Sequence, residues 1–263
     1  MSPFLLPLLG VGVVCLGMII LNERVGLFRC DAFPSPWMKG LAYAWLAFFM
    51  LFLAFLVVAS ALRVPTAQQI AATPFYQFFA LHFILIIFLA GWWLLTGRPP
   101  IAQMLNIRFE RPGEMVLTGF AVGIGGWLVT IVTALLVAAI LKATGLLPKD
   151  LKPSPMIGYM VALPLWKKAL IVLSAMTVEE AFFRGWLQKR VGLILSTILF
   201  ASAHVTLGQP LLLIGVSVIS LIIGFTFYRT KNLIPGIVAH GVFDAVQLFV
   251  IIPIAFRFAE IST

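Results

Sequence analysis

Most of this chain consists of apolar runs about as long as a bilayer is thick, joined by short linkers rich in proline, glycine and charge. Runs at 4–22, 40–62, 75–96, 115–141, 158–187, 191–206, 211–228 and 232–256 are candidate spans, and a helix needs about 20 apolar residues to cross. In hydrocarbon the backbone must satisfy its own hydrogen bonds, so runs of this kind fold as helices. The expected fold is all-α, a polytopic transmembrane helix bundle of about eight spans, or seven. Lys167 and Lys168 interrupt the start of the fifth run, and the sixth run is short. Composition agrees: 62% of residues are hydrophobic and 10% charged, where a soluble domain would carry about 25% charged residues. The first run, FLLPLLGVGVVCLGMIIL, lacks a basic flank before it and a small-residue cleavage site after it. It therefore reads as a retained span, not a cleaved leader. The linkers FPSPW, GRPP, ERPGE and LPKDLKPSP punctuate the runs without a repeat or low-complexity segment. One integral membrane domain over 1–263 is expected.

The net charge is +9, from 18 Lys and Arg against 9 Asp and Glu. The basic residues sit in the linkers, without the clustering and aromatic interleaving of a nucleic-acid surface. They suit the anionic headgroups of a lipid bilayer, so no nucleic-acid partner is expected. Cationic loops stay on the cytoplasmic side. The loops after spans one, three, five and seven hold ten basic residues, against seven on the other side. Both termini are then outside, and the ends of spans five and eight that carry polar residues face the cytoplasm. The compact chain suits a prokaryotic inner (plasma) membrane. Cys15 and Cys30 form neither a disulfide framework nor a CxxC site. Small residues let membrane helices approach closely. Gly119 and Gly123, in span four, therefore mark either packing within the chain or a contact between copies, and the oligomeric state is open.

Few charges fall inside the spans, and they gather in the C-terminal half: Glu179, Glu180, Arg184 and Asp244, joined by His204 and His240. A charge at a helix centre costs about 2.5–3.5 kcal/mol on insertion scales, so such residues face a bundle interior or a wet cavity. Helical spacing divides the adjacent carboxylates. Glu180 and Arg184 are four apart and share a face, while Glu179 lies about 100° around. One carboxylate can be tied to the arginine while the other faces a cavity. His240 and Asp244, also four apart, share a face of the last span.

No serine or cysteine sits in a nucleophile elbow or beside these groups, so a covalent nucleophile is not expected. A glutamate with a histidine can activate a water, and a nearby donor can stabilise the oxyanion. Together they would hydrolyse a peptide bond. The same glutamate and two histidines could hold zinc with an open position, but the helical HExxH spacing is absent and no metal is favoured. Buried Glu and His also serve proton-coupled transporters. Those tend to place broken helices in two matching halves, which this chain lacks.

Three motifs in order, Glu179-Glu180-AFF-Arg184, Phe200-ASA-His204 and His240-GVF-Asp244, resemble those of the CAAX protease and bacteriocin-processing (abortive-infection) family. That family includes the type II CAAX prenyl endopeptidases. The resemblance covers about 165–250, a motif-bearing catalytic core. It implies an intramembrane glutamic protease with a cavity open to the cytoplasm and a membrane-associated peptide or protein as substrate. By the same resemblance Glu179 is the base that activates water, assisted by His204, and His240 is an oxyanion donor. Glu180 and Arg184 form the supporting pair, with Phe200 beside them, and Arg184 can also meet a substrate carboxylate. Two features depart from the pattern. Asp244 stands where the peptidases often have Asn, and ionised Asp cannot donate to an oxyanion. The interval from the first motif to His204 is short, which places His204 near the far end of a short span six. Other readings are a non-catalytic immunity or regulatory protein in which the cluster is a structural clamp, and a transporter.

His82 belongs to no motif and is expected to be structural, packed among Tyr76, Phe78 and Phe79. The aromatic-rich stretch WLAFFMLFLAF of span two reads as a lipid-facing or packing surface rather than a prenyl-binding groove.

Overall fold

A computed structural model describes residues 31–62, 66–146, 155–204 and 210–261. The expected first span at 4–22, both cysteines and most of the 147–155 linker lie outside the described residues. Among the described residues every regular element is helical. Helix α1 spans Pro36–Leu62, α2 Ala67–Ala72 and α3 Ala80–Leu95, the last entered through a 3₁₀ turn at Phe75–Phe79. Then come α4 (Ile101–Leu105), α5 (Pro112–Ala143) and α6 (Pro155–Ala162). Helix α7, Leu165–Ser174, continues through two π-helical stretches, Ala175–Glu179 and Ala181–Gln188, into α8, Lys189–Ala203. Helix α9 is Pro210–Thr230. Helix α10, Ile234–Ala245, runs through a π stretch at Val246–Ile251 into α11, Ile252–Ile261.

Helix starts follow local chemistry. Thr66 caps α2 in a reciprocal box with Gln69, satisfying two free N–H groups. Pro112 and Pro235 sit in the first turns of α5 and α10, where a missing N–H is harmless. Among the described residues, five helical segments are long and apolar enough to cross a membrane: Pro36–Leu56, Phe75–Leu95, Pro112–Ala143, Leu211–Thr230 and Ile234–Phe256. They match the expected spans two, three, four, seven and eight. Their outward faces are apolar, as with Leu117, Phe120, Leu128 and Leu135 of α5.

Expected span five is divided at Pro164, and its expected boundary with span six falls at Gly192. Pro164, extended at φ −62° and ψ 151°, separates α6 from α7, because proline cannot donate into a continuing helix. The lysine pair therefore lies in the first turn of α7, with Lys167 over the rings of Phe75 and Trp166. The second break is Gly192, at φ 80° and ψ 175°, a conformation essentially reserved for glycine. There the chain folds back, so the rest of α8 packs antiparallel on the Ala181–Gln188 stretch. Ser196 Oγ donates to the Phe183 carbonyl at 2.9 Å, and the Phe183 and Phe200 rings meet edge-on at 4.9 Å.

Two seams hold the bundle. In one, α5 lies against α10 and α9 through glycines. A Cβ on Gly119 would come within 2.6 Å of Val238, one on Gly123 within 2.7 Å of Val242, and one on Gly126 within 2.7 Å of Ile219. The small-residue stripe thus serves packing within the chain. The other seam is aromatic: Phe49, Phe88, Trp92, Phe182 and Trp186 are all buried, joining α1 and α3 to the π-helical stretch. The aromatic run of α1 accordingly divides, with Phe49 in this core while Phe48 and Phe55 face outward.

Candidate active site

The fold-back at Gly192 explains how a short interval brings two motifs together. His204 is as far past the bend as Glu180 is before it, so the returning helix ends level with the two glutamates. Glu179 ends the first π-helical stretch and Glu180 sits between the two, where the turn is wider than in an α-helix. Such stretches are rare and recur at functional sites. The expected α-helical geometry does not apply there, yet the pairing it implied is present: Arg184 Nη1 stands 3.0 Å from Glu180 Oε1.

Glu180 is the sealed carboxylate, its side chain 0% exposed. Oε1 meets both Arg184 and His240 Nδ1, the latter at 2.8 Å. Oε2 lies 3.2 Å from the point a Cβ on Gly236 would occupy, so any other residue there would crowd it. Arg184 is fixed in turn, donating through Nη2 to Ser220 Oγ at 3.1 Å and to the Ser220 carbonyl at 3.3 Å. Its guanidinium sits 4.4 Å over the Phe200 ring, a cation–π contact that gains strength away from water. Phe200 also touches the His204 and His240 rings. The aromatic residue of the second motif is thus the partition around which the polar groups are arranged.

Glu179 has a different setting. Its side chain is 12% exposed. Oε1 lies 3.1 Å from His82 Nε2 on α3, and Oε2 is buried without a protein partner. His204, His240 and His82 are all close enough to act on it electrostatically. His204 Nδ1 lies 2.9 Å from the Phe200 carbonyl. A carbonyl only accepts, so Nδ1 carries the proton and neutral His204 keeps its lone pair on Nε2. His240 lies between carboxylates, with Nδ1 on Glu180 and Nε2 3.3 Å from Asp244 Oδ2. Asp244 is 29% exposed, so the Nε2 edge is the more open one.

The structure brings all the residues of the three motifs into one cluster and adds three that sequence reasoning missed. His82 is not simply packed among aromatic rings. It touches Phe79, but its ring nitrogens engage Glu179 and Ser174, the latter at 2.6 Å. Ser220 and Ser174, the other two, overturn the expectation that no serine lies beside these groups, because helix packing brings them in from outside the motifs. The signal for His82 was available, since it too is ionisable within an expected span. Among the described residues no three His, Cys, Asp or Glu side chains are disposed to share a metal ion.

Comparison with known proteins points to the same stretch of chain. Residues 161–246 match the family model of type II CAAX prenyl endopeptidases, Rce1-like. That stretch holds all three motifs and excludes His82. An uncharacterised protein of Bacillus subtilis (strain 168), YpbD, is 41% identical over 69 residues, which are 26% of this chain and 36% of that protein. This chain therefore spans little more than a third of that relative's length. No solved structure matches. The part of the chain that builds the polar cluster is thus similar to the Rce1-like type II CAAX prenyl endopeptidases, as its motifs imply.

Proposed function

We propose that this protein is an integral membrane endopeptidase of the glutamic type, hydrolysing a peptide bond in a membrane-associated substrate with a water activated by Glu179 and His204. The observation that carries this reading is a pair of acceptors without a protein partner, Glu179 Oε2 and His204 Nε2. A water donating one hydrogen to each would aim its lone pairs at a carbonyl carbon. Glu179 takes the proton as the water attacks, and passing it to the leaving amine completes the hydrolysis. His240, held by Glu180, directs Nε2 toward the open edge and donates to the developing oxyanion once the substrate displaces Asp244 from it. Arg184 holds Glu180 in place. The family similarity supports a CAAX-type endopeptidase, and prenylated peptides with a CAAX-type tail are the first substrates to try. The loop charges favour a site open toward the cytoplasm, within a motif-bearing core at about 165–250.

The test is cleavage of a fluorogenic farnesylated CAAX-type peptide by purified protein, together with mapping of new carboxy-termini in membranes holding wild-type or Glu179→Gln protein. Cleavage by the wild type alone is expected. Equal cleavage by purified Glu179→Gln would overturn the reading. The clamp alternative draws on the Glu180–Arg184–His240–Asp244 chain of contacts. It leaves the partial exposure of Glu179 beside the sealed Glu180 without a role, and it expects motif variants to lose stability and function together.

A further inference from the structure

We propose that His82 is the positioning residue of the Glu179 base and that Ser174 sets its tautomer, an inference that rests on the role of Glu179 given above. His82 is contributed by α3, far in sequence from the motifs and outside the stretch similar to the prenyl endopeptidases. It is nevertheless buried in the cluster, 9% exposed, with both ring nitrogens engaged: Nε2 at 3.1 Å from Glu179 Oε1 and Nδ1 at 2.6 Å from Ser174 Oγ.

The direction of these hydrogen bonds follows from what each group can do. An ionised carboxylate only accepts, so Nε2 must carry a proton to bond Glu179. A neutral imidazole then has its lone pair on Nδ1, and Ser174 supplies the O–H that fills it. The order is Ser174 Oγ–H to His82 Nδ1, then His82 Nε2–H to Glu179 Oε1. A hydroxyl on one nitrogen thus holds the other as a donor, the kind of orienting contact that fixes a histidine's tautomer and ring position. The effect on Glu179 is directional. With Oε1 occupied, the carboxylate cannot rotate freely, and Oε2 remains the oxygen without a protein partner, left for the water of the proposed reaction. Ser174 and Glu179 lie on one continuous segment, while His82 comes from a separate helix, so the bridge also ties that segment to α3.

The experiment uses the full chain in lipid nanodiscs and in cleavage of the farnesylated peptide. Nitrogen-15 NMR of histidine-labelled protein, with the His82 signal identified by its loss in His82→Gln, is expected to show the Nε2–H tautomer. Ser174→Ala should shift it toward a mixture. An Nδ1–H tautomer in the wild type would overturn the proposal, whether or not the peptide is a substrate. In the cleavage assay His82→Leu is expected to lower kcat by about 10- to 100-fold, the range for loss of an orienting contact, with KM unchanged. His82→Gln, which keeps a donor near the Nε2 position, should restore most of the rate. Equal losses of rate and melting temperature in both His82 variants would reduce His82 to packing and end the proposal. Wild-type kcat in His82→Leu, with cleavage abolished in Glu179→Gln, would end this inference alone. Intact cleavage by Glu179→Gln would end the parent reading.

Discussion

Glu179 and Glu180 are adjacent in the chain and lie in two different regions of the molecule. On the α9–α10 side, Glu180 is sealed and neutralised by Arg184 and His240. On the α3 side, Glu179 is partly open, held through one oxygen by His82 and unpaired at the other. A buried charge is tolerated when it is paired and hydrogen-bonded; both glutamates leave Oε2 without a protein partner, but Glu180 meets a cation and a histidine through Oε1. Glu179 meets only His82 and keeps some exposure, 12% against 0% for Glu180. Two identical side chains thus acquire different chemistry from their neighbours, as pairs of carboxylates do in other acid–base sites.

The largest test of this contrast is in rate. Glu179→Gln should lower cleavage by about 10²–10⁴-fold, the usual contribution of a general base, with a melting temperature near that of the wild type. The same rate loss with the same stability from Glu180→Gln would erase the distinction. The next effect is in stability. Arg184→Leu leaves Glu180 buried without its cation, and breaking such a pair costs about 3–5 kcal/mol. Unfolding in detergent should show this, and Glu180→Leu combined with Arg184→Leu should recover part of it. Gly192→Ala is smaller, about 1–3 kcal/mol for a backbone conformation that alanine resists. It should also lower kcat by displacing His204 from Glu179, and unchanged kcat in a folded variant would separate the bend from the site. The smallest effect is that of Asp244→Asn. It keeps a polar partner for His240 Nε2 without the charge, so cleavage should change only a few-fold in kcat. A large loss would move Asp244 from the rim of the site to its centre.

Much of the arrangement was legible in the residues. Apolar length marked the spans at α1, α3, α5, α9 and α10, since hydrocarbon leaves a long apolar run little choice but a helix. The pairing of Glu180 with Arg184 followed from spacing and survives the change from α to π geometry. The break at Pro164 was not read, because the residues on both sides of it are apolar, whereas the reversal at Gly192 falls within two residues of the expected boundary between runs 158–187 and 191–206. Hydropathy registers burial and is blind to a change of chain direction. His82 was set aside for its distance in sequence from the motifs, although the argument that selected Glu179, an ionisable group in an expected span, applied to it equally. The alternatives for Gly119 and Gly123 could not be separated by spacing, since a second helix of this chain and one from another copy would ask for the same small residues.

The sequence by itself determined that the chain is a helical membrane bundle, that its ionisable residues gather in the C-terminal half, and that Glu180 and Arg184 share a face. These are consequences of solvent and local geometry, which act over a few residues at a time. Only the tertiary structure decided which glutamate is sealed, which is open, and that a histidine from α3 holds the open one. Those outcomes depend on contacts between helices far apart in sequence, set by a glycine bend and by close packing at Gly236. No periodicity within a single helix records them.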